Sequence, residues 1–269
     1  MARRWTAEEE NYHRKQLTKL YVHKNRTINE IGNILRISPK TIYDRLLRLD
    51  VPINRTGKTR ANNKRPDAHI PSSYSPALAE FFGIMLGDGS LSHFQVIVTL
   101  GTKELKYAHY VSILITKIFK ITPKIGVRKA GYRDVYIGCV DITNWLFDEG
   151  LVSNKVRAQV DVPKWIFLKP AYMRRFVRGF FDTDGSIYKI RFGVQIALIN
   201  RSYPLLISLQ RILKRLGYVT SRISSNKVYI TRKEDVKRFF KEIKPKNPKH
   251  KKRFKIYCVG SPVGGGNGL

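Results

Sequence analysis

Near the start of the chain, apolar residues recur at helical spacing in three short runs. Leu17 and Leu20 mark one face of a helix expected over roughly Ala7 to Tyr21. Ile28, Ile31, Ile34 and Leu35 form a second stripe. Thr27 is placed to N-cap it, and Glu30 three residues on completes a capping box. Ile42, Leu46 and Leu49 form a third stripe, with Ser38 as the cap and Pro39 in the first turn. This leaves Lys40, Thr41, Tyr43, Asp44, Arg45 and Arg48 toward solvent or a groove. The pattern TINEIGNILRISPKTIYDRLLRL therefore predicts a helix–turn–helix module over residues 1–54. Residues 55–69, RTGKTRANNKRPDAH, are rich in Lys and Arg and nearly devoid of apolar side chains, as suits a linker. The main core is expected between residues 70 and 258, and residues 259–269, glycine-rich, lack packing content.

The long apolar region repeats itself. LAEFFGIMLGDGSLSHFQVIVTL in the first copy matches MRRFVRGFFDTDGSIYKIRFGVQIAL in the second. Gly83 aligns with Gly179, Asp88 with Asp184, Gly89 with Gly185 and Ser90 with Ser186, at a constant offset of 96 residues. Each copy continues with alternating strand-like residues and then a helix, LKYAHYVSILITKIF against LLISLQRILKRLG. A β stretch follows, DVYIG against KVYIT, and a closing helix, DITNWLFDEG against EDVKRFFKEI. The boundaries fall at residues 70–160 and 161–258. The expected fold class is α+β: two pseudo-symmetric halves beside a small all-helical N-terminal domain, in a monomer.

Composition narrows the function. Lys and Arg number 51 and Asp and Glu 20, a formal net charge of +31, while 42% of residues are hydrophobic. That apolar content excludes a disordered basic tail. A compact fold with this charge repels itself, so a polyanionic partner is expected. Two cysteines, Cys139 and Cys258, make no disulfide framework. No run is long enough for a membrane helix and no apolar signal segment stands at the start. The expectation is a soluble intracellular protein of cytoplasm or nucleoid, organelle and nucleus remaining open, with no membrane partner.

The repeat also points to chemistry. Gly83 and Gly87 lie four apart on one helical face, as do Gly179 and Thr183, so two helices can approach closely there. Pairing them would bring Asp88 and Asp184 together at the helix C-termini, with Gly89 and Gly185 expected as positive-φ caps. Carboxylates at that end oppose the helix dipole and each other. Divalent cations would relieve both effects. Two or three Mg²⁺ ions, with Mn²⁺ as a substitute, are expected on Asp88, Asp184 and the carbonyls of Gly87 and Thr183. Paired acids of this kind suit metal-assisted phosphodiester hydrolysis.

FFGIMLGDG, residues 81–89, and VRGFFDTDG, residues 177–185, resemble the two copies of the nine-residue motif of the LAGLIDADG homing endonucleases, and the resemblance extends over about residues 70–258. It implies paired motif helices at the centre, metal-binding acids at Asp88 and Asp184, and a saddle-shaped antiparallel sheet in each half lying over the DNA major groove. It further implies a monomer that cuts a long asymmetric DNA site. Motif position six is Leu86 in one copy and Asp182 in the other, a place concerned with capping and packing. Asn200 matches the family's water-positioning polar residue, while Gly101 or Thr102 in LGTKE is a weak counterpart. The family's basic residue beyond each half corresponds to Lys155 and to Lys251 or Lys249, for stabilising charge at the phosphate.

Strand alternation then offers a reading surface. Its candidates are His93, Gln95, Arg128, Lys129, Arg133, Lys189, Arg191, Gln195, Arg222, Ser224, Asn226 and Lys227. Phosphate contacts are expected from Lys249 and Lys252 in KPKNPKHKKRFK and from Lys58, Arg60, Lys64 and Arg65 in the linker. The leading expectation is a site-specific, metal-dependent DNA endonuclease. A non-cleaving DNA-binding regulator on the same scaffold and an intron RNA maturase are the alternatives. The RNA reading is weaker because the A-form major groove is inaccessible.

Overall fold

A computed structural model describes residues 5–24, 26–52, 65–191 and 193–259. The expected linker contacts Lys58, Arg60 and Lys64, and residues 260–269, lie outside the described residues. The chain divides into two compact units, Met1–Asn62 and Asn63–Leu269.

The first unit contains α1 (Ala7–Leu17), α2 (Ile28–Leu35) and α3 (Pro39–Arg48). Helix α1 is shorter than its apolar pattern suggests, because the chain widens into a π-helical turn over Thr18–His23. Thr6 and Thr27 each close a capping box, with Glu9 and Glu30, and so satisfy otherwise orphaned helix N–H groups. Ser38 caps α3 with Pro39 in its first turn. The tight α2–α3 turn holds Arg36 in the left-handed region at φ 53°. Leu17, Ile31, Ile42, Leu46, Leu49 and Val51 form the core. Ile34 departs from the expected stripe and is exposed.

The second unit has two halves. In the first, α4 (Pro76–Leu86) leads into β1 (Gly89–Leu91) and β2 (Gln95–Leu100), then α5 (Leu105–Phe119), β3 (Lys124–Val127), β4 (Arg133–Gly138) and α6 (Val140–Asp148). In the second, α7 (Pro170–Asp184) leads into β5 (Gly185–Ile190) and β6 (Gly193–Ile199), then α8 (Tyr203–Arg215), β7 (Lys227–Ile230) and α9 (Lys233–Glu242). A last helix, α10 (Pro248–Phe254), follows. The sheets are antiparallel, ordered β1-β2-β4-β3 and β5-β6-β7. This is the expected α+β architecture of two matched halves.

Among the described residues the second sheet has no counterpart of β3. There Ser221 takes over part of the ladder: its N–H donates to the Tyr229 carbonyl at 2.9 Å, while its hydroxyl accepts the Tyr229 N–H at 3.0 Å. A side-chain oxygen used in place of a carbonyl stops regular pairing.

Helices α4 and α7 pack against each other at the centre, α4 buried from Leu78 to Leu86 and α7 from Phe176 to Thr183. Their glycines make this possible. A Cβ on Gly83 would collide with the backbone of Phe176 and Phe180, and one on Gly179 with the Glu80 carbonyl. Only hydrogen fits between the two backbones. Glu80 is fully buried in this interface. It forms ion pairs with Arg175 at 2.7 Å and Arg178 at 3.4 Å, and accepts from the Tyr110 hydroxyl at 2.5 Å. Arg178 Nε also donates to the Ile243 carbonyl at 2.6 Å, tying the motif helix to the end of α9.

Candidate functional site

Asp88 follows α4 directly and Asp184 is the last residue of α7, so the packing of the two helices brings both acids to the same end. A methyl group placed on Gly87 would lie 3.5 Å from Asp184 Cγ. Gly89 and Gly185 are not left-handed caps, contrary to the expectation from sequence. Neither has positive φ, and Gly185 is extended at φ −92° and ψ 159°. They begin β1 and β5, and smallness is what they supply: a Cβ on Gly89 would lie 2.5 Å from Met85 Cα. One on Gly185 would lie 2.7 Å from Phe181 Cα.

Burial pushes both carboxyls upward. Asp184 is raised to about 6, by desolvation first and then by the charge of Asp88; Lys155, the Asn200 hydrogen bond and Lys249 pull it back. Asp88 is raised by desolvation and Glu104 and lowered by Lys249 and Lys155. Asn200 Nδ2 donates to Asp184 at 3.0 Å, and its own Oδ1 accepts the Ser202 N–H at 2.9 Å, so the amide orientation is fixed.

Lys155 sits at the centre of this arrangement. Its ammonium donates to the carbonyls of Met85 at 3.0 Å and Gly89 at 2.8 Å, and to that of Gly87. It answers the negative end of α4 and, together with Lys249, the two aspartates. Burial lowers its pKa, and the two aspartates oppose that shift. A cleft of about 410 Å³ opens beside it, lined by Gly87, Lys155, Thr183, Asp184, Asn200 and Arg201 among others.

From the second half, Lys249 rather than Lys251 approaches the acids. Lys249 pairs with Glu104 at 2.9 Å and acts electrostatically on Asp88 and Asp184. Lys251 and Lys252 are exposed on α10. The approach depends on Asp182, which accepts backbone N–H groups of Lys246 at 2.8 Å and Asn247 at 3.1 Å. Asn247 Nδ2 in turn donates to Glu104 at 2.5 Å and to the Asp182 carbonyl at 3.0 Å. Glu104 was not singled out by sequence reasoning. Its signal is local: in LGTKE its carboxylate accepts the Gly101 N–H at 2.7 Å, an acid closing its own turn.

The donors offered to a divalent ion are hard oxygens, the carboxylates of Asp88 and Asp184 and the carbonyls of Gly87 and Thr183, and they fit Mg²⁺ in kind. In the first half the Gly87 carbonyl is already engaged by Lys155. Among the described residues no cluster of three or more His, Cys, Asp or Glu side chains suited to a metal ion occurs. Nor is any helix there long and apolar enough to cross a membrane.

The candidate reading residues separate by face. Strand register places Gln95 and Thr99 of β2, Asp134 and Tyr136 of β4, and Tyr188, Gln195 and Lys227 of the second sheet on the sides away from the buried Val96, Val98, Val135, Ile187 and Ile196. Tyr188 donates to Gln195 Oε1 at 2.7 Å. Arg128 shares the open side of the first sheet and Lys129 is exposed in the β3–β4 turn. Lys189 pairs with Val194, in register with the covered side. Arg133 turns back to donate to the Thr102 carbonyl. His93 lies against Phe147, with ring centroids 5.4 Å apart. Arg191, Arg222, Ser224 and Asn226 are exposed at strand ends and turns.

In the first unit Lys40 and Tyr43 are exposed on α3, while Thr41 shares a hydroxyl contact with Ser38 at 2.7 Å. Arg45 and Arg48 stack over Trp5 at 4.7 and 5.0 Å, and Arg48 pairs with Glu10. Arg65 pairs with Asp67 at 3.5 Å.

Residues 171–244 match the model of a LAGLIDADG-like domain. Over 161 residues, 59% of its length, the chain is 29% identical to the replication factor C small subunit of Methanocaldococcus jannaschii. The match spans 9% of that protein's length. Similar solved structures include the N-terminal LAGLIDADG domain of DUF199/WhiA, at 16% identity and TM-score 0.45 over 66% of this chain and 88% of that one. Mesophilic variants of the homing endonuclease I-DmoI match at 16% and 0.43, over 62% and 88%. The homing endonuclease I-WcaI bound to its DNA recognition sequence matches at 13% and 0.45, over 71% and 89%.

Proposed function

We propose, from the LAGLIDADG-type α+β fold that the chain has, that it binds duplex DNA as a monomer. The excess of 51 basic over 20 acidic residues supports a polyanionic partner. The open sheet faces supply one reading surface, and Lys40 and Tyr43 of α3 supply contacts of their own in the helix–turn–helix module. The observation that carries the reading is the pair of open sheet faces, where Gln95, Thr99, Tyr188, Gln195 and Lys227 stand on the sides away from the buried core.

A second reading, metal-dependent strand cleavage, is favoured by the pair Asp88 and Asp184 with Asn200 oriented on the latter. A bound Mg²⁺ would supply an activated water and stabilise the leaving oxygen. The residues that would hold it are Asp88, Asp184 and the carbonyls of Gly87 and Thr183. In this reading Lys155 and Lys249 offset negative charge at the phosphate.

A salt titration of affinity tests the proposal, using a mixed-sequence duplex DNA pool beside a duplex RNA pool. The expected result is DNA affinity that falls by orders of magnitude between about 50 and 200 mM salt, the response of a protein making six or more phosphate contacts. A flat salt response, or preference for the RNA pool, would contradict it.

A further inference from the structure

One arginine on the open face of the first sheet is held in a fixed orientation rather than as a loose charge. Thr99 of β2 and Gly126 of β3 flank Asp134 of β4 in register. Gly126 has no side chain to fill the space above Asp134, and Arg128, two residues further on, reaches back across it. Arg128 Nε donates to Asp134 Oδ2 at 2.6 Å, and Nη2 donates to Thr99 Oγ1 at 3.2 Å. The Thr99 hydroxyl donates to the other carboxylate oxygen, Asp134 Oδ1, at 2.7 Å. The three side chains close a ring.

The backbone beneath is fixed too. Arg128 N–H donates to the Tyr132 carbonyl at 2.8 Å, Gly131 N–H donates to the Arg128 carbonyl at 2.7 Å, and Gly131 takes φ 81°, which suits glycine. The Arg128 side chain is nonetheless 54% exposed.

The consequence lies in which edge of the guanidinium is used. Arginine carries five N–H donors in a planar fork. Asp134 and Thr99 occupy the side edge, formed by Nε and Nη2. The end edge, formed by Nη1 and Nη2, keeps two parallel N–H groups toward solvent. That pair matches the two acceptors O6 and N7 that guanine shows in the major groove. A phosphate accepts an arginine held in many orientations. A base edge requires one, and the ring of contacts provides it.

We propose that Arg128 is a specificity-determining residue that reads a guanine in the major groove, with Asp134 and Thr99 as its positioning residues. The inference rests on the reading that the open sheet faces bind duplex DNA.

Selection of the full-length protein on a randomised duplex library, with sequencing of the bound fraction, tests it for wild type, R128A, R128K and D134A. Wild type is expected to enrich a site containing a guanine whose preference disappears in R128A and R128K while other positions persist. Discrimination at that position should fall roughly 5- to 150-fold, the range of one bidentate base contact. R128K keeps the charge without the fork, so full retention of the preference by R128K would overturn the inference. D134A removes a negative charge facing DNA, so its affinity for mixed sequence should hold or rise while the guanine preference weakens. An equal loss of affinity for all sequences in R128A, with the site unchanged, would make Arg128 a phosphate contact and overturn the inference alone. Failure of wild type to retain any duplex would overturn the DNA reading as well.

Discussion

Lys155 Nζ lies 2.8 Å from the carbonyl oxygen of Gly89, the residue that follows Asp88. With the Met85 and Gly87 carbonyls it gives the end of α4 a cation drawn from the protein itself. Replacing it by methionine leaves carbonyls and two partly buried carboxylates without that partner. K155M is expected to lose on the order of 1–3 kcal/mol at pH 8, the cost of an uncompensated buried polar group. The loss should shrink at pH 5, where Asp184 takes up a proton. Urea unfolding at the two pH values checks this; an equal loss at both would remove the electrostatic role of Lys155.

Asp184 behaves in the opposite sense. Its carboxyl is raised to about 6 from a usual value near 4, so the folded state holds a proton that the unfolded chain releases across that window. The contribution of this group to stability is greatest below about pH 4 and is lost as pH rises through about 6. D184N, which can still accept from Asn200, is expected to stabilise the protein at pH 8 by on the order of 1–3 kcal/mol. It should have little effect at pH 4.5. Thermal melts of wild type and D184N across pH 4.5–8 measure the difference.

The interface of α4 and α7 tolerates no added carbon. G83A and G179A each drive a methyl into opposing backbone. Backbone cannot rotate aside as a side chain does, so a loss of about 3 kcal/mol or more is expected, at the upper end for overpacking. Denaturant midpoints test it; a loss below about 1 kcal/mol would mean that the helices can separate without penalty.

Glu80 is buried against Arg175, Arg178 and Tyr110. Removing one member of a buried ion pair strands the other. E80M is expected to cost about 3–5 kcal/mol, and E80M combined with R178M less than the sum of the single losses. Unfolding free energies of the double-mutant cycle give the coupling.

The local features were legible in the sequence because their causes are local. Thr27 with Glu30, and Ser38 with Pro39, mark helix starts through neighbours within one turn. Gly83 and Gly179 announced a close helix pair, and the repeated Asp–Gly placed both acids. What escaped depends on residues far apart in the chain. Lys155 could be noted as a candidate basic group, but its seat on α4 carbonyls arises only when a later loop folds back. Glu104, Asn247 and Lys249 meet through the anchoring of residues 246 and 247 on Asp182. The conformation of Gly89 and Gly185 was misjudged because Asp–Gly suits both a left-handed cap and a strand start. Contact with Met85 and Phe181 explains the need for glycine in the extended form.

The central claim, that the protein binds duplex DNA, is tested most directly by incubating the full-length protein with its selected duplex in Mg²⁺, in Mn²⁺ and in a chelator, then measuring retained duplex and mapping strand ends by sequencing. The account predicts bound duplex in all three conditions, the chelator included. Failure to retain duplex in any of them would contradict it, and metal-dependent ends accumulating at one position would establish the cleavage reading beside binding.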